Sequence, residues 1–559
     1  MKPIKLLRGR VEAPILVEGE NEDNLSSRSR GIFLREATGL VREAGWIDIL
    51  IFASLNISWG LSAWWYFYWG PYFAPGGNLH LGVLLVTVPM IFGALAWALL
   101  VTLVPRSGGE YVFVSRILHP LLGFLSSVGW IVSNLVWVAT LPSYVADPAL
   151  KTTFSLVGWE EAAEFAGSSL GIFAIGATII AISALITILG LKAFRVFQAA
   201  CFTLGIAMFV AIWAVFLGTT RESFIAAWNS FSARYASADY DTIVSEGLKY
   251  VREAYGVDPT YTWSIEKALP LMPVAAWGLL YPYLAAYIAG ETREVHKSMV
   301  VGIPGGLVLA AASWWVTGAL LERVVGYDFL LAVAYVAGDQ LEIYKLPFPP
   351  SYFAFAAVMA PVWLRWLIGV GFAAWIVYYA LYTVMPMSRI LLAWAIDRLA
   401  PSFLADMSER FHAPVKNVLL VTAISFVMLG LYALNPEYLA GFTAMIPQIS
   451  TTFLFTALSA IAVPFREKMK AVYEGSPVSR LKLGPAPFIS VCGAVYACLL
   501  LVLLYQYFAI PGLGAVHLPS FIAMSAAYAF GIAYFLAARA YRRRQGIDVD
   551  LAFRELPPE

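Results

Sequence analysis

Charge is what this chain has least of. Of 559 residues only 13% are Asp, Glu, Lys or Arg, against about 25% in a soluble domain. Five histidines and three cysteines are too few for a metal-rich or disulfide-stapled fold, and the expectation is that no metal or cofactor is held. Cys201, Cys492 and Cys498 all stand inside apolar runs, where a thiol is a small core hydrophobe. A formal net charge of +1 gives no electrostatic case for a nucleic-acid partner. No phosphate loop, Ser/His/Asp set or His-rich cluster is present, so an enzyme is not expected. The first 44 residues are charged and lack a short apolar segment followed by a small-residue cleavage site, so the first apolar run is expected to stay in place.

Hydrophobic residues make up 60% of the chain, gathered into runs of about 20 residues, the length that crosses a bilayer. Twelve such spans are expected, at 46–70, 79–104, 120–146, 168–189, 195–219, 269–289, 299–321, 362–388, 415–434, 438–463, 486–509 and 517–540. Every second connection is basic. Arg106 and Arg116 follow span 2, Lys192 and Arg195 span 4, and Arg293 and Lys297 span 6. Arg389, Arg398, Arg410 and Lys416 follow span 8, with Arg466 and Lys468 after span 10 and Arg542 to Arg544 after span 12. By the positive-inside rule both termini face the cytoplasm of a cell membrane, crossed by an all-α polytopic protein. Two connections on the other side are long. Residues 220–268 carry Ile243, Val244, Leu248, Val251 and Tyr255 at helical spacing, and 325–360 are apolar but broken by prolines, either a lid or a surface loop.

Near mid-depth the spans contain no ionisable residue other than Tyr and Cys; Asp48, His80, Arg365 and His517 stand near span ends. A strongly charged solute needs a buried partner, so a zwitterion or neutral solute is the easier cargo. Two spans are interrupted. Span 1 reads Asn56-Ile57-Ser58-Trp59-Gly60-Leu61-Ser62, and span 6 reads Gly278-Leu279-Leu280-Tyr281-Pro282-Tyr283. Gly loosens a helix and Pro removes a donor. Such breaks survive in hydrocarbon only where protein or a wet cavity satisfies the freed groups, and paired breaks point to a transporter's binding site. A freed helix terminus suits a carboxylate. The remaining polar groups at depth include Ser133 and Asn134 of span 3 and Tyr378 of span 8.

Several connecting stretches resemble the amino acid permeases of the amino acid–polyamine–organocation superfamily. Pro105-Arg106-Ser107-Gly108-Gly109-Glu110-Tyr111 is similar to that family's loop after span 2. Leu189-Gly190-Leu191-Lys192 with Arg195 and Gln198 resembles its entry to span 5, and Gly290-Glu291-Thr292 its element after span 6. Ser388-Arg389 through Ala395, with Asp397, Pro401 and Ala413-Pro414-Val415, resembles its loop after span 8.

The resemblance implies a LeuT-type fold. Spans 1–5 (45–219) and 6–10 (269–465) would be inverted repeats, with peripheral helices 11 and 12 (466–541). Residues 1–44, 220–268 and 542–559 would be a cytoplasmic segment, an outer loop with an amphipathic helix and a cytoplasmic tail. Substrate would sit between broken spans 1 and 6, flanked by spans 3 and 8. The candidate binding residues are Asn56, Ser58, Trp59, Gly60, Leu61, Ser62, Trp130, Ser133, Asn134, Gly278, Leu280, Tyr281, Pro282, Tyr283 and Tyr378, with no catalytic residue among them. Arg389 and Asp397 are assigned to a cytoplasmic gate or loop structure.

Three features depart from the family pattern. Trp59 and Tyr281-Pro282-Tyr283 stand where small residues are usual. Gly205 falls where some proton-coupled members place a Lys. Residues 373–379 offer none of the hydroxyls that sodium-coupled relatives supply from span 8, so the coupling ion stays open. The expected partners are an amino-acid substrate, apolar or aromatic in its side chain, and the lipid bilayer. Another neutral solute such as a nucleobase or amine, or a substrate-sensing receptor without transport, are the alternatives.

Overall fold

The computed structural model describes residues 42–435, 446–510 and 518–554; His517 and the start of expected span 10 lie outside them. Among the described residues, twelve helices are long and apolar enough to cross a membrane: Trp46–Phe73, Leu79–Leu103, Pro120–Val157, Ser169–Ile188, Leu191–Leu217, Leu271–Glu291, Val295–Val324, Val362–Ile396, Val415–Leu434, Pro447–Phe465, Phe488–Ala509 and Phe521–Arg544. They are spans 1 to 12 below. Among the described residues the one sheet is a hairpin of two-residue strands between spans 10 and 11, with Lys482 opposite Pro487 and Leu483 opposite Ala486.

Composition accounts for the layering. Every residue of span 6 is buried, and spans 1 and 8 are mostly enclosed, while span 12 turns most of its surface outward. Lipid-facing residues such as Val88, Leu170, Val196, Val427 and Leu501 are as apolar as those inside, as expected where no hydrophobic force separates helix from lipid. Span 7 packs on spans 1 and 2, span 5 on span 8, span 4 on span 9, and span 10 on span 11.

Spans 3 and 8 outrun the expected boundaries furthest. Span 3 continues past Tyr144 through a widened turn at Val145–Leu150, where Pro148 lacks a donor, and resumes to Val157. Span 8 has 35 residues, about 52 Å at 1.5 Å per residue, against a hydrocarbon core of about 30 Å. Its last turns carry Ser388 and Arg389, which are therefore helical and buried and not loop residues. Arg542 to Arg544 likewise continue span 12.

On the face opposite the basic connections, helix Tyr240–Tyr255 is the expected amphipathic element. Ile243 and Val251 are buried, and Val244 and Leu248 pack against the core. Tyr255 departs from that stripe: it is 44% exposed, and its hydroxyl donates to Asp339 Oδ2 at 2.7 Å. Residues 325–360 form helices Tyr327–Gly338 and Tyr352–Val358. They lie on the second half of span 1: Trp64 Nε1 donates to the Pro350 carbonyl at 3.2 Å, Tyr335 Oη to the Tyr72 carbonyl at 2.7 Å, and Tyr72 Oη to Asp339 at 2.8 Å. The segment thus packs on the end of span 1, a placement that a lid and a surface loop seated on helix ends share.

Candidate functional site at the crossing of two broken helices

Span 1 is interrupted at a single residue. Helix Trp46–Ile57 ends at Ser58, whose φ of +50° and ψ of 66° are left-handed, and helix Trp59–Phe73 begins directly after it. A left-handed non-glycine costs about 1–3 kcal/mol and persists only where its surroundings hold it. Here the Ile57 carbonyl freed by the break accepts from Ser62 Oγ at 2.6 Å. Span 6 breaks over two residues. Helix Leu271–Leu279 gives way at Leu280 and Tyr281 to tighter turns over Pro282–Glu291.

The two breaks touch. A Cβ on Gly278 would stand 2.4 Å from Ser62 Cβ and 3.2 Å from the Ile57 carbonyl oxygen, so the close approach requires glycine. Span 3 joins through tryptophans: Trp277 stacks on Trp65 of span 1 with ring centres 5.1 Å apart and meets Trp137 edge-on at 5.5 Å. Trp130 Nε1 donates to Tyr283 Oη at 3.2 Å, and Tyr283 stacks on Trp97 of span 2 at 4.4 Å. Span 8 closes the group where Trp375 approaches Gly60 and stacks on Trp59. Spans 1, 3, 6 and 8 thus converge on the interruptions.

The polar groups there are unusually empty-handed. Ser54 Oγ, both side-chain atoms of Asn56, Ser58 Oγ, Ser133 Oγ and Asn134 Oδ1 are buried without a hydrogen-bond partner within the protein. An unmade bond of this kind costs about 1–3 kcal/mol, so six such atoms on spans 1 and 3 are a standing demand for bound water or solute. Ser62 is satisfied by Ile57, and Asn134 Nδ2 donates to the Trp130 carbonyl at 2.8 Å. Leu61, Leu280 and Pro282 are buried, and Tyr281 lies near Tyr379, Tyr496 and Tyr507 with Phe453 edge-on at 6.3 Å.

Two candidates point elsewhere. Trp59 is wedged between spans 5 and 8, with Phe202, Phe209 and Trp375 around it. Tyr378 faces away from Tyr281, packing on Phe52 and Phe194 and reaching Gln198 Oε1 at 3.4 Å. Its neighbour Tyr379 takes the inward position, because successive helical residues point about 100° apart. Trp375 also explains Gly205: a Cβ there would stand 1.8 Å from the indole nitrogen, leaving no room for a side chain.

At the basic end, side chains far apart in sequence are tied together. Arg389 of span 8 pairs with Glu291, the last residue of span 6, at 3.2 Å, both essentially unexposed. Asp397 beyond span 8 accepts from Arg116 at 2.7–2.8 Å and from Tyr111 Oη at 2.7 Å. Both Arg389 and Asp397 are therefore engaged by protein groups. The chain's last described turn closes over the second pair, with Phe553 5.0 Å from the Arg116 guanidinium and the Ala552 carbonyl 3.4 Å from Nη2. Sequence reasoning missed Trp277, Trp375 and Tyr287, aromatic residues in spans too rich in aromatics for any one to stand out. It also missed the burial of Glu110.

A twelve-span helical membrane protein, with two interrupted helices crossing in its core, is the class that fold and site define. The chain belongs to the amino acid permease family, whose model matches residues 51–537. A search of curated proteins returns no match.

Proposed function

We propose that this permease carries zwitterionic amino acids with apolar or aromatic side chains across the cytoplasmic membrane by alternating access. The observation that carries the reading is the set of partnerless polar atoms on Ser54, Asn56, Ser58, Ser133 and Asn134 beside two broken helices. A substrate's carboxylate and amino group can meet such groups together with backbone freed at the breaks. The residues at the crossing supply no Asp, Glu, Lys, Arg or His, which favours a cargo of no net charge. Trp130, Tyr281, Tyr283 and Tyr379 offer aromatic walls for its side chain.

In this reading spans 1–5 and 6–10 are the inverted repeats of a LeuT-type transporter, and spans 11 and 12 are peripheral. The basic end is cytoplasmic, carrying both termini. The layer formed by residues 325–360 closes the outer mouth. Purified protein in liposomes should exchange labelled amino acids, and amino acids should raise its melting temperature. Absence of both across a broad panel that includes nucleobases and amines overturns transport; binding without flux makes the protein a receptor, and a nucleobase or amine as the sole ligand changes the cargo.

A further inference from the structure

The segment between spans 2 and 3 does not stay at the surface. Helix Glu110–Ile117 has all eight residues buried, packed on spans 3 and 10 and touching the second half of span 6. Gly109, at φ +59°, makes the entry possible: its Cα lies against the Tyr287 ring, where a Cβ would come within 2.5 Å. Glu110 follows. Its side chain is fully buried, Oε2 accepts from the Tyr287 hydroxyl, and Oε1 has no partner.

Among the described residues, no Lys or Arg is paired with this carboxyl. On its own helix Arg116 and Tyr111 are turned to Asp397. In the preceding loop Arg106 donates to the Pro105 carbonyl. Span 10 carries no Asp, Glu, Lys, Arg or His, and span 3 carries only Asp147 and Lys151, paired with each other at 2.9 Å. Span 6 presents Tyr287 and Glu291, and Glu291 holds Arg389 of span 8. A buried carboxylate met only by neutral donors, the Tyr287 hydroxyl and its own backbone N–H, with Oε1 left empty, holds its charge at high cost. Burial pushes Glu110 up to about 7, with the Tyr287 hydrogen bond and that from its own backbone N–H opposing it.

We propose that Glu110 is a proton-binding site whose occupancy is linked to the closed arrangement of span 6 at the basic end. The proposal rests on the transport reading given above. While Tyr287 and Glu110 are packed together and dry, the neutral acid is favoured, with the proton on the otherwise unpartnered Oε1. When the second half of span 6 swings away, water reaches the carboxyl, the anion is favoured, and the proton passes to water. Different proton affinities in two arrangements bias the equilibrium between them, so protonation favours closure and deprotonation favours opening. The ligand is a proton, taken up and released at the Glu110 carboxyl.

The test pairs a spectroscopic titration with flux. Infrared spectra of the full-length protein in liposomes should show a protonated-carboxyl band that fades with a midpoint near neutrality and is missing in Glu110→Gln. Labelled amino-acid exchange by the wild type should change about tenfold across the two pH units centred on that midpoint, and residual exchange by Glu110→Gln should show no such step. Tyr287→Phe, which keeps the ring and removes the donor, should move the midpoint upward, and it serves if Glu110→Gln does not fold. A band unchanged in Glu110→Gln, or the wild-type pH step retained in that variant, overturns the proposal. A titrating band lost in Glu110→Gln, without amino-acid flux or binding by the wild type at any pH, supports the proton site and removes the transport reading instead.

Discussion

Trp59 lies face to face with Trp375, ring centres 5.3 Å apart and planes inclined by 24°. The pair fills the wedge between spans 1, 5 and 8, directly beside the break at Ser58. Replacing Trp59 by Gly removes that filler, and a large aromatic deletion costs about 3–5 kcal/mol of stability. If the wedge adjoins the bound side chain, Trp59→Gly should also shift uptake toward bulkier amino acids in competition assays. An unchanged competition profile would make Trp59 a packing residue.

Tyr281→Phe keeps the ring among Tyr379, Tyr496 and Phe453 and removes only the hydroxyl. Loss of one hydrogen bond to substrate, about 0.5–1.5 kcal/mol, should weaken binding by up to about tenfold in a thermal-shift or scintillation assay. Tyr281→Ala should weaken it further while the protein stays folded.

The contact between Gly278 and Ser62 predicts a compensating pair. Gly278→Ala inserts a methyl where 2.4 Å is available, and overpacking of this kind costs about 1–3 kcal/mol. Ser62→Gly in the same molecule removes the obstructing atoms. The double variant should be more stable than Gly278→Ala alone, and a melting-temperature cycle measures the coupling.

Asp397→Ala leaves Arg116 buried without its carboxylate. Breaking one side of a buried pair costs about 3–5 kcal/mol. The melting temperature should fall sharply, with a smaller fall for Asp397→Asn, which still accepts a hydrogen bond.

The pH dependence of stability has a definite sign at Glu110. Its ordinary value is 4.5 and burial raises it to about 7, so the folded protein holds this proton more tightly than the unfolded chain. The associated stability is complete below about pH 4.5 and lost as pH rises to about 7, a total of about 3 kcal/mol at roughly 1.4 kcal/mol per pH unit. Above neutrality Glu110→Gln should melt higher than the wild type, and the difference should shrink toward acid pH.

Most of the membrane architecture was legible because an apolar run of bilayer length has few other readings. The breaks were legible too: Ser58 and Tyr281-Pro282 lie where the local sequence weakens a helix. What the sequence hides is rotation and distance. Tyr378 and Tyr379 are equivalent as letters; Gln198, 180 residues away, is among the groups on the face that Tyr378 occupies. Arg389 reads as a loop cation until Glu291, 98 residues earlier, is seen to bury it. Glu110 sits in a short glycine-rich connection, and only the fold brings Tyr287, 177 residues on, to its side chain.

Phe553 covers the Arg116–Asp397 pair from the chain's far end. The last described turn is therefore a third segment in the knot that ties span 8 to the connection between spans 2 and 3. For anyone building reporters into this permease, Phe553 is not a neutral attachment point. A fluorescent or affinity fusion joined just after Phe553 would pull on the same ion pair.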